Sequence, residues 1–411
     1  MRDLPGIQPK RLRILIVVPY DLAEPGGGVK HHALGLAKVL RGMGDTVVVA
    51  GPTSKPVHGP HLVGFRGVVN VQFNGSANRI GILVNPWAVR RFMRQRTFDI
   101  IHVQDPLAPG LPYWMTWFSK DVPKVCTFHA YAERPSLALR LGHRLSAPLV
   151  LSHYQRGMAV SQPAAHLVRR VWRRPLSIIP NGVHTDVFTP APSFDVTHPV
   201  APGRPLRLFF CARLSDERKG FVDLLRAYTI LRERQIPVAL DVAGEAAGPL
   251  PPDLPGLTYH GPLSLRELVE RFQACDLLVA PSTGQESFGI VLLEAMASGR
   301  PIVCSDIEGY RRVVHAHGAY LSACHSPESL ADAIATLAAD PERRRSMAMV
   351  NRQRALDYDW THVTAHVRSQ YLLALGNRRE EALYHLPALQ LQAENPNTSA
   401  VIPAKVCGGA A

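Results

Sequence analysis

Short apolar runs alternate with longer segments whose apolar positions recur at helical spacing along most of the chain. This alternation predicts α/β architecture, with two doubly wound domains that each have a parallel sheet covered by helices. In the first half we predict strands at 13–18, 46–50, 99–103, 124–128, 157–160 and 177–179. In the second half we predict strands at 206–211, 238–243, 257–260, 276–281 and 301–305.

A proline-rich stretch separates the two series of elements. Five prolines lie between Thr189 and Pro205, and such stretches are typical of domain boundaries. The predicted parts are an N-terminal domain (1–190), a linker (191–205), a C-terminal domain (206–358), a helix (359–375) and a loosely ordered tail (376–411).

The chain of 411 residues is 46% hydrophobic, which gives room for two or three packed cores and excludes disordered and fibrous classes. The six cysteines include no Cys-x-x-Cys pair, so we expect reduced thiols rather than a zinc or redox site. No secretory segment precedes Arg13, and no apolar run is long enough to span a bilayer. We therefore expect a cytoplasmic protein.

The net excess of positive charge is confined to the first half of the chain. Residues 1–190 hold 24 Lys and Arg against 9 Asp and Glu, whereas residues 191–411 hold 22 against 24. This asymmetry favours an anionic partner, such as phospholipid headgroups, nucleic acid or a phosphorylated substrate.

Two carboxylates, Glu286 and Glu294, lie at a predicted strand-to-helix junction. The helix is predicted over Phe288–Ala297 and ends at Gly299. Open α/β sheets bind ligands at the carboxyl ends of their strands. Eight residues at the helical rise separate the two carboxylates by about 12 Å, close to the span from sugar to ribose in a nucleotide diphosphate sugar. One helix is therefore expected to bind both ends of such a donor.

Gly27 and Gly28 open the helix after the first strand. Their N–H groups and the positive end of the helix can approach a phosphate, and a plain turn is the alternative. A dinucleotide-binding fingerprint fits poorly, because His31 occupies the place of its last glycine and Gly51 ends the second strand where an acidic residue is expected. These departures weigh against a dehydrogenase.

Arg213 and Lys219, here called the basic pair, flank the loop that follows the predicted strand Leu206–Cys211. At a strand's carboxyl end they are placed to clamp a diphosphate and to stabilise the charge on a departing nucleotide. A solvated surface loop is the alternative. We predict no metal site, because Asp357-Tyr358-Asp359 is better explained as a helix start with Asp359 near the N-cap.

These segments together resemble one family, the retaining glycosyltransferases of family 4. The similarity covers residues from about 13 to 375, and the segment containing Glu286 and Glu294 is its most specific part. The other matching segments are the basic pair, Gly27-Gly28-Val29 and Thr127-Phe128-His129. Within the family, the chain is similar to the phosphatidylinositol mannosyltransferases at Pro19-Tyr20, Gln104-Asp105-Pro106-Leu107-Ala108-Pro109 and Tyr358-Asp359-Trp360.

The resemblance implies the GT-B fold, in which two Rossmann-like domains face each other across a cleft and the last helix crosses back to the N-terminal domain. It implies a nucleotide diphosphate sugar as co-substrate, with GDP-mannose favoured, and no cofactor. The donor-binding residues it implies are Gly27, Gly28, Arg213, Lys219, Glu286, Ser287, Phe288, Gly289 and Glu294. The catalytic residues it implies are His129, Arg213, Lys219 and Glu286. For His129 alone, a packed or surface histidine is the alternative.

The acceptor side departs from the subgroup. Tyr20 is expected to border the acceptor, but Lys30 replaces the polar amide usual after Gly-Gly-Val. Residues 130–133 replace a hydroxyl-rich run. The identity of the acceptor therefore stays open, although the resemblance favours a lipid-linked acceptor such as phosphatidylinositol.

Residues 87–96 predict an amphipathic helix with Arg90, Arg91 and Arg94 on one side and Ala88, Val89, Phe92 and Met93 on the other. Such a helix either lies on anionic lipid or packs its apolar face on the sheet. The basic first half and the lipid-using subgroup favour the membrane, with the protein peripheral on the inner face.

The favoured function is retaining transfer of a hexose, expected to be mannose, to a lipid-linked acceptor. One alternative is a soluble glycosyltransferase that acts on a sugar or polysaccharide. Another is a non-enzymatic nucleic-acid-binding protein, for which Arg169, Arg170, Arg173 and Arg174 form a basic cluster. That alternative leaves both glutamates unexplained, so we do not predict a nucleic-acid partner. The oligomeric state stays open.

Overall fold

The computed structural model describes residues 11–24, 27–73, 76–131, 146–169, 171–191, 204–246, 254–284 and 286–376. Most of the predicted linker, the predicted tail after Gly376, and Arg170 lie outside these residues. The described chain forms two units, each built on one parallel sheet. The first unit holds the chain up to Phe188, the segment Gly284–Glu294 and the last helix.

The first unit contains a seven-stranded sheet in the order β3-β2-β1-β6-β7-β8-β9 and an antiparallel pair, β4-β5. Its strands are β1 (Arg13–Val17), β2 (Thr46–Pro52), β3 (Leu62–Phe65), β4 (Val69–Phe73), β5 (Ser76–Ile80), β6 (Ile100–Gln104), β7 (Lys124–Phe128), β8 (Arg156–Ala159) and β9 (Leu176–Ile178). Its helices up to Phe188 are α1 (Gly28–Gly42), α2 (Pro86–Gln95), α3 (Leu111–Trp117) and α4 (Gln162–Arg169).

The second unit contains a six-stranded parallel sheet in the order β12-β11-β10-β13-β14-β15. Its strands are β10 (Leu206–Cys211), β11 (Val238–Ala243), β12 (Leu257–Gly261), β13 (Leu277–Ala280), β14 (Ile302–Ser305) and β15 (Ala319–Ser322). The helices of the second half are α5 (Phe221–Glu233), α6 (Leu265–Ala274), α7 (Ile290–Ala297), α8 (Glu308–Arg311), α9 (Pro327–Ala339), α10 (Pro341–Asp357) and α11 (Trp360–Ala374).

The central strands are apolar along their whole length because both faces of each sheet are covered. In β1, the four residues after Arg13 are buried. Leu15 pairs with Val48 of β2 on one side and with Ile101 of β6 on the other. Continuous apolar runs of this kind are typical of parallel strands between helical layers. The predicted α/β class with two doubly wound sheets is confirmed.

The last helix, α11, packs on the first unit. Asp359 is its N-cap, as predicted, and its side chain accepts a hydrogen bond from the Thr361 N–H at 2.8 Å. Trp360 lies against the backbone of Gly35, where an added Cβ would come within 2.6 Å of the indole. At the middle of the helix, Arg368 forms a fully buried ion pair with Asp45 at 3.0 Å.

Candidate functional site

Three neighbouring strands of the first sheet end beside residues that bear on function. Tyr20 follows β1, Asp105 follows β6 and His129 follows β7, and the order β1-β6-β7 makes these ends adjacent. Asp105 joins the other two residues: its Oδ1 accepts a hydrogen bond from the His129 N–H at 2.8 Å, and its Oδ2 accepts one from the Tyr20 hydroxyl at 3.4 Å. The carboxyl edge of the sheet, where such folds bind ligands, therefore gathers these groups.

The imidazole of His129 is buried and uncharged. Its Nε2 lies 2.7 Å from Oε1 of Gln104, and its ring meets His32 edge-on with 4.8 Å between the centroids. Burial disfavours the imidazolium and lowers the pKa of His129 to about 3. His129 therefore offers a neutral polar group at any working pH, rather than a positive charge.

Asp105 lies in strained backbone at the end of β6, with a φ of 45°. Burial raises the pKa of its carboxyl to about 6, although the N–H groups of His129 and Ala130 and the Tyr20 hydroxyl favour the ionised form. Burial, and the nearby Asp105 carboxylate, also raise the pKa of the Tyr20 phenol well above its usual value. Tyr20 is thus a stable hydroxyl beside a group that changes charge near neutral pH.

The glycine loop leaves the amino end of α1 open. Gly27, at the N-cap, has a φ of 98° that favours glycine, and it brings no capping side chain to the first N–H groups of the helix. Gly28 packs closely, since an added Cβ would lie 3.3 Å from Cδ1 of Ile290. Lys30 turns back and donates a hydrogen bond to the carbonyl of Glu24, and burial lowers the pKa of its ammonium.

Glu286 precedes the helix that carries Glu294, as predicted, but the predicted start of that helix at Phe288 is wrong. α7 begins only at Ile290, because Gly289 takes a φ of 88° that interrupts the backbone before it. Glu286 therefore lies in the loop between β13 and α7, and the 12 Å spacing derived from helical rise does not apply. In that loop Ser287 is partly exposed, while Phe288 is buried and its ring lies 6.2 Å from that of Tyr358.

Glu294 lies on α7. Its side chain is partly buried. Burial disfavours the carboxylate and raises the pKa of Glu294 to about 8. Hydrogen bonds that a partner donates to this carboxyl would therefore favour its ionised form.

The basic pair belongs to the second unit, in the loop after β10. Asp216 organises this loop, since its carboxylate forms an ion pair with Arg218 at 2.7 Å. Gly220 has a φ of 70° and approaches β13 so closely that an added Cβ would lie 1.9 Å from the carbonyl oxygen of Pro281. The N–H of Thr283 donates to the Arg218 carbonyl at 2.8 Å. The loop is thus fixed beside the start of the segment that leads to Glu286.

The amphipathic helix is confirmed as α2, but its apolar face is not available to lipid. Val89 and Phe92 are part of the buried core of the first unit. What faces outward is the basic side, where Arg91 and Arg94 are exposed, together with Trp87, which is 69% exposed. Any contact of α2 with a membrane therefore depends on its charge and on Trp87.

Two models of known families match this chain, one in each half. Residues 26–187 match the model described as Glycosyltransferase Family 4, and residues 205–340 match the one described as Glycosyl transferases group 1. The phosphatidyl-myo-inositol mannosyltransferase of Mycobacterium leprae is 31% identical over 368 residues, which cover 88% of this chain and 96% of that protein. The chain belongs to the family 4 glycosyltransferases.

A further relative and a solved structure are also similar to this glycosyltransferase. A D-inositol 3-phosphate glycosyltransferase from Pseudarthrobacter chlorophenolicus is 30% identical over 315 residues, which cover 70% of this chain and 73% of that protein. The Anabaena protein Alr3699/HepE, solved in complex with UDP-glucose, superposes with a TM-score of 0.66 at 18% identity, covering 88% of this chain and 99% of that one. The fold is therefore GT-B, and the identities to mannosyltransferases place the chain in their subgroup.

Sequence reasoning gave no role to several buried groups of this glycosyltransferase. His32, His102 and Gln104 lie next to His129 or are linked to it by hydrogen bonds, and Asp105 anchors its backbone. The available signal was the polar run that ends β6, because polar residues inside an otherwise apolar strand need partners. Within the described ranges there is no cluster of three metal-binding side chains, and no helix combines the length and apolarity needed to cross a bilayer.

Proposed function

We propose that this glycosyltransferase moves mannose from GDP-mannose to the inositol ring of phosphatidylinositol, with retention of anomeric configuration. The observation that carries the proposal is the 31% identity that extends over 96% of the Mycobacterium leprae mannosyltransferase. A second group of relatives is named D-inositol 3-phosphate glycosyltransferase. This name also contains inositol, which favours an inositol ring over an unrelated sugar as the acceptor.

On the donor side, each group has a chemically suitable task. Glu286 and the N–H groups of Ser287 to Gly289 bind the hydroxyls of the sugar, and Glu294 accepts hydrogen bonds from the ribose. The open amino end of α1 at Gly27 and Gly28 binds the diphosphate, and so does the basic pair. The positive charge of the pair stabilises the nucleotide as it leaves.

Retaining transfer passes through a cation-like anomeric carbon. The neutral imidazole of His129 can lie beside such a centre without opposing its charge, which an imidazolium would do. The departing donor phosphate takes the proton of the attacking acceptor hydroxyl on the same face, so the protein itself supplies no metal and no nucleophile. Tyr20 and Lys30 border the acceptor.

A lipid acceptor requires the enzyme to reach a membrane surface, and we place it on the inner face of the cell membrane. Arg90, Arg91 and Arg94 of α2 supply the basic face, and each basic residue near an anionic surface contributes about 1 kcal/mol. Arg90 stacks over the indole of Trp87 at 5.6 Å, so the exposed ring and the charge form one patch.

The transfer reaction is tested with purified protein and a panel of labelled GDP-, UDP- and ADP-sugars. The acceptors are phosphatidylinositol vesicles, inositol 3-phosphate and free inositol. We expect product with GDP-mannose and phosphatidylinositol, and an α-anomeric linkage by NMR. Transfer to inositol 3-phosphate but not to the lipid would support the soluble alternative, and a β-linkage would contradict retention.

The membrane surface is tested by sedimentation with vesicles that contain phosphatidylinositol. Replacing Arg90, Arg91 and Arg94 by Gln should abolish sedimentation at low salt. The matched control replaces three exposed arginines of the second unit, Arg207, Arg226 and Arg266, by Gln. Equal loss in both triple variants would mean that overall charge, rather than this patch, governs binding.

A further inference from the structure

A chain of buried hydrogen bonds runs from the last helix to His129. The hydroxyl of Tyr371 on α11 lies 2.7 Å from Nδ1 of His102 in β6. Nε2 of His102 lies 2.7 Å from Oγ1 of Thr127 and 3.1 Å from the amide nitrogen of Gln104. The amide oxygen of Gln104 then lies 2.7 Å from Nε2 of His129. Tyr371, His102 and Gln104 are fully buried.

These hydrogen bonds restrict which ring nitrogen of His102 and of His129 carries the proton. Burial lowers the pKa values of His102 and His129, so each imidazole is neutral and carries one N–H. With the Gln104 amide as placed, its nitrogen donates to His102 and its oxygen accepts from Nε2 of His129. His129 then holds its proton on Nε2, and Nδ1 is left as an acceptor. The hydrogen bonds of His129 within the described chain use only Nε2 and the backbone N–H.

From this geometry we infer that Gln104 is a positioning residue, which holds His129 in a single ring orientation and a single tautomer, and that Tyr371 supports it through His102. The inference rests on the proposed function, in which His129 lies beside the anomeric carbon. Reactions of this kind are sensitive to placement, since a misplacement of about 1 Å can cost 100-fold in rate. Gln104 and Tyr371 are expected to affect kcat while donor affinity stays the same.

Two replacements of Gln104 separate positioning from mere packing. Gln104→Met keeps the volume but removes both hydrogen bonds, and kcat should fall by about 10- to 100-fold with an unchanged KM for the donor. Gln104→Glu places a carboxylate against His102 and His129 and favours the imidazolium. At saturating donor, kcat of this variant should fall as the pH is lowered from 8 to 6, because a cation then faces the cation-like carbon.

Other titratable groups around His129 must be separated from this effect. They are His32 on α1, His102 on β6 and Asp105 after β6, and the pKa of Asp105 is raised to about 6. Wild-type enzyme contains all three, so its pH profile of kcat is the reference. Only a steeper profile in Gln104→Glu than in wild type supports the inference.

Tyr371, at the far end of these hydrogen bonds, has a matched control in another buried tyrosine. Tyr371→Phe removes a buried hydroxyl that leads to His129. Tyr154→Phe instead removes a buried hydroxyl that lies 2.6 Å from Oγ1 of Thr116 and, among the described residues, is not hydrogen-bonded to His129 or its partners. We expect a several-fold loss of kcat in Tyr371→Phe alone, at a similar loss of thermal stability in both. Equal kcat in the two variants would overturn the role of Tyr371.

The closing experiment reads the tautomer directly, by long-range ¹H–¹⁵N correlation on ¹⁵N-histidine-labelled full-length protein, with His129→Asn used for assignment. One Nε2–H tautomer in wild type and a mixture in Gln104→Met would support the inference. A mixture in wild type, or the same single tautomer in Gln104→Met, would overturn it. This readout needs no acceptor, so an enzyme that fails to mannosylate phosphatidylinositol would refute the proposed function without deciding the role of Gln104.

Discussion

Donor binding should be coupled to the loss of a proton from Glu294. Burial raises the pKa of this carboxyl to about 8, so about 90% of the free enzyme carries the proton at pH 7. The two hydroxyls of a ribose both donate, and a carboxylate accepts both of these hydrogen bonds, whereas a neutral acid accepts them less well. Binding of the donor therefore selects the ionised form.

The size of the coupling follows from that pKa. Below pH 8, each pH unit should tighten donor binding about tenfold, which is 1.4 kcal/mol, and the slope should vanish above it. Between pH 6 and pH 8 the dissociation constant should fall by about 50-fold. Close to one proton should leave per donor bound at pH 7.

Isothermal titration calorimetry with GDP-mannose, in buffers of different ionisation enthalpy, measures both quantities. The intact nucleotide sugar is the right ligand, because its doubly esterified diphosphate does not titrate in this range. Glu294→Gln is the control and should bind with no dependence on buffer or pH. A wild-type affinity that is constant from pH 6 to 8, or an equal slope in Glu294→Gln, would refute the coupling.

The free enzyme should show the opposite trend in stability. Because the folded-state pKa of Glu294 is raised from 4.5 to about 8, the folded chain keeps a proton that the unfolded chain loses. This group favours the folded state at low pH, and its contribution is lost as the pH rises from about 4.5 to about 8. Melting curves of wild type and Glu294→Gln across this window should therefore diverge as the pH rises.

Three further sets of substitutions test other parts of the structure. Replacing either member of the basic pair by Ala should lower kcat by about 100- to 1,000-fold, and wild-type turnover in a labelled-sugar assay would contradict its role. Arg368→Met leaves Asp45 as an uncompensated buried charge and should lower the free energy of unfolding in urea by about 3–5 kcal/mol. Adding Asp45→Asn to this variant should restore part of that loss. Gly35→Ala meets Trp360 and should cost about 1–3 kcal/mol, whereas Gly42→Ala on the same helix meets nothing within 4 Å and should not destabilise.

The fold was predictable wherever a buried strand is continuously apolar. The limits of β7, β10 and β11 agree with the prediction to the residue. Strand β5, whose sequence is Ser-Ala-Asn-Arg-Ile, has no such run and was missed. β15 was missed as well, because four residues of mixed polarity at a sheet edge carry little periodic signal.

The site was predictable as a set of motifs but not as a set of contacts. His129 was identified from its motif, whereas its link to Gln104 depends on the register that sets Gln104 opposite Thr127 across β6 and β7. No single-sequence pattern gives that register. The interruption before α7 depends on the backbone of Gly289, whose φ of 88° leaves no signature beyond the glycine itself.

The burial of α11 against the first unit has a consequence for the order of synthesis. Leu36, Leu40 and Val47 share one apolar cluster with Val363 and Tyr371, so the amino-terminal half leaves the ribosome with part of its core uncovered. At ordinary translation rates, the roughly 190 residues that separate Phe188 from the end of α11 take about 10–40 s to make. During that interval the nascent chain exposes the apolar surface that its own last helix later covers, which makes aggregation a hazard of its synthesis.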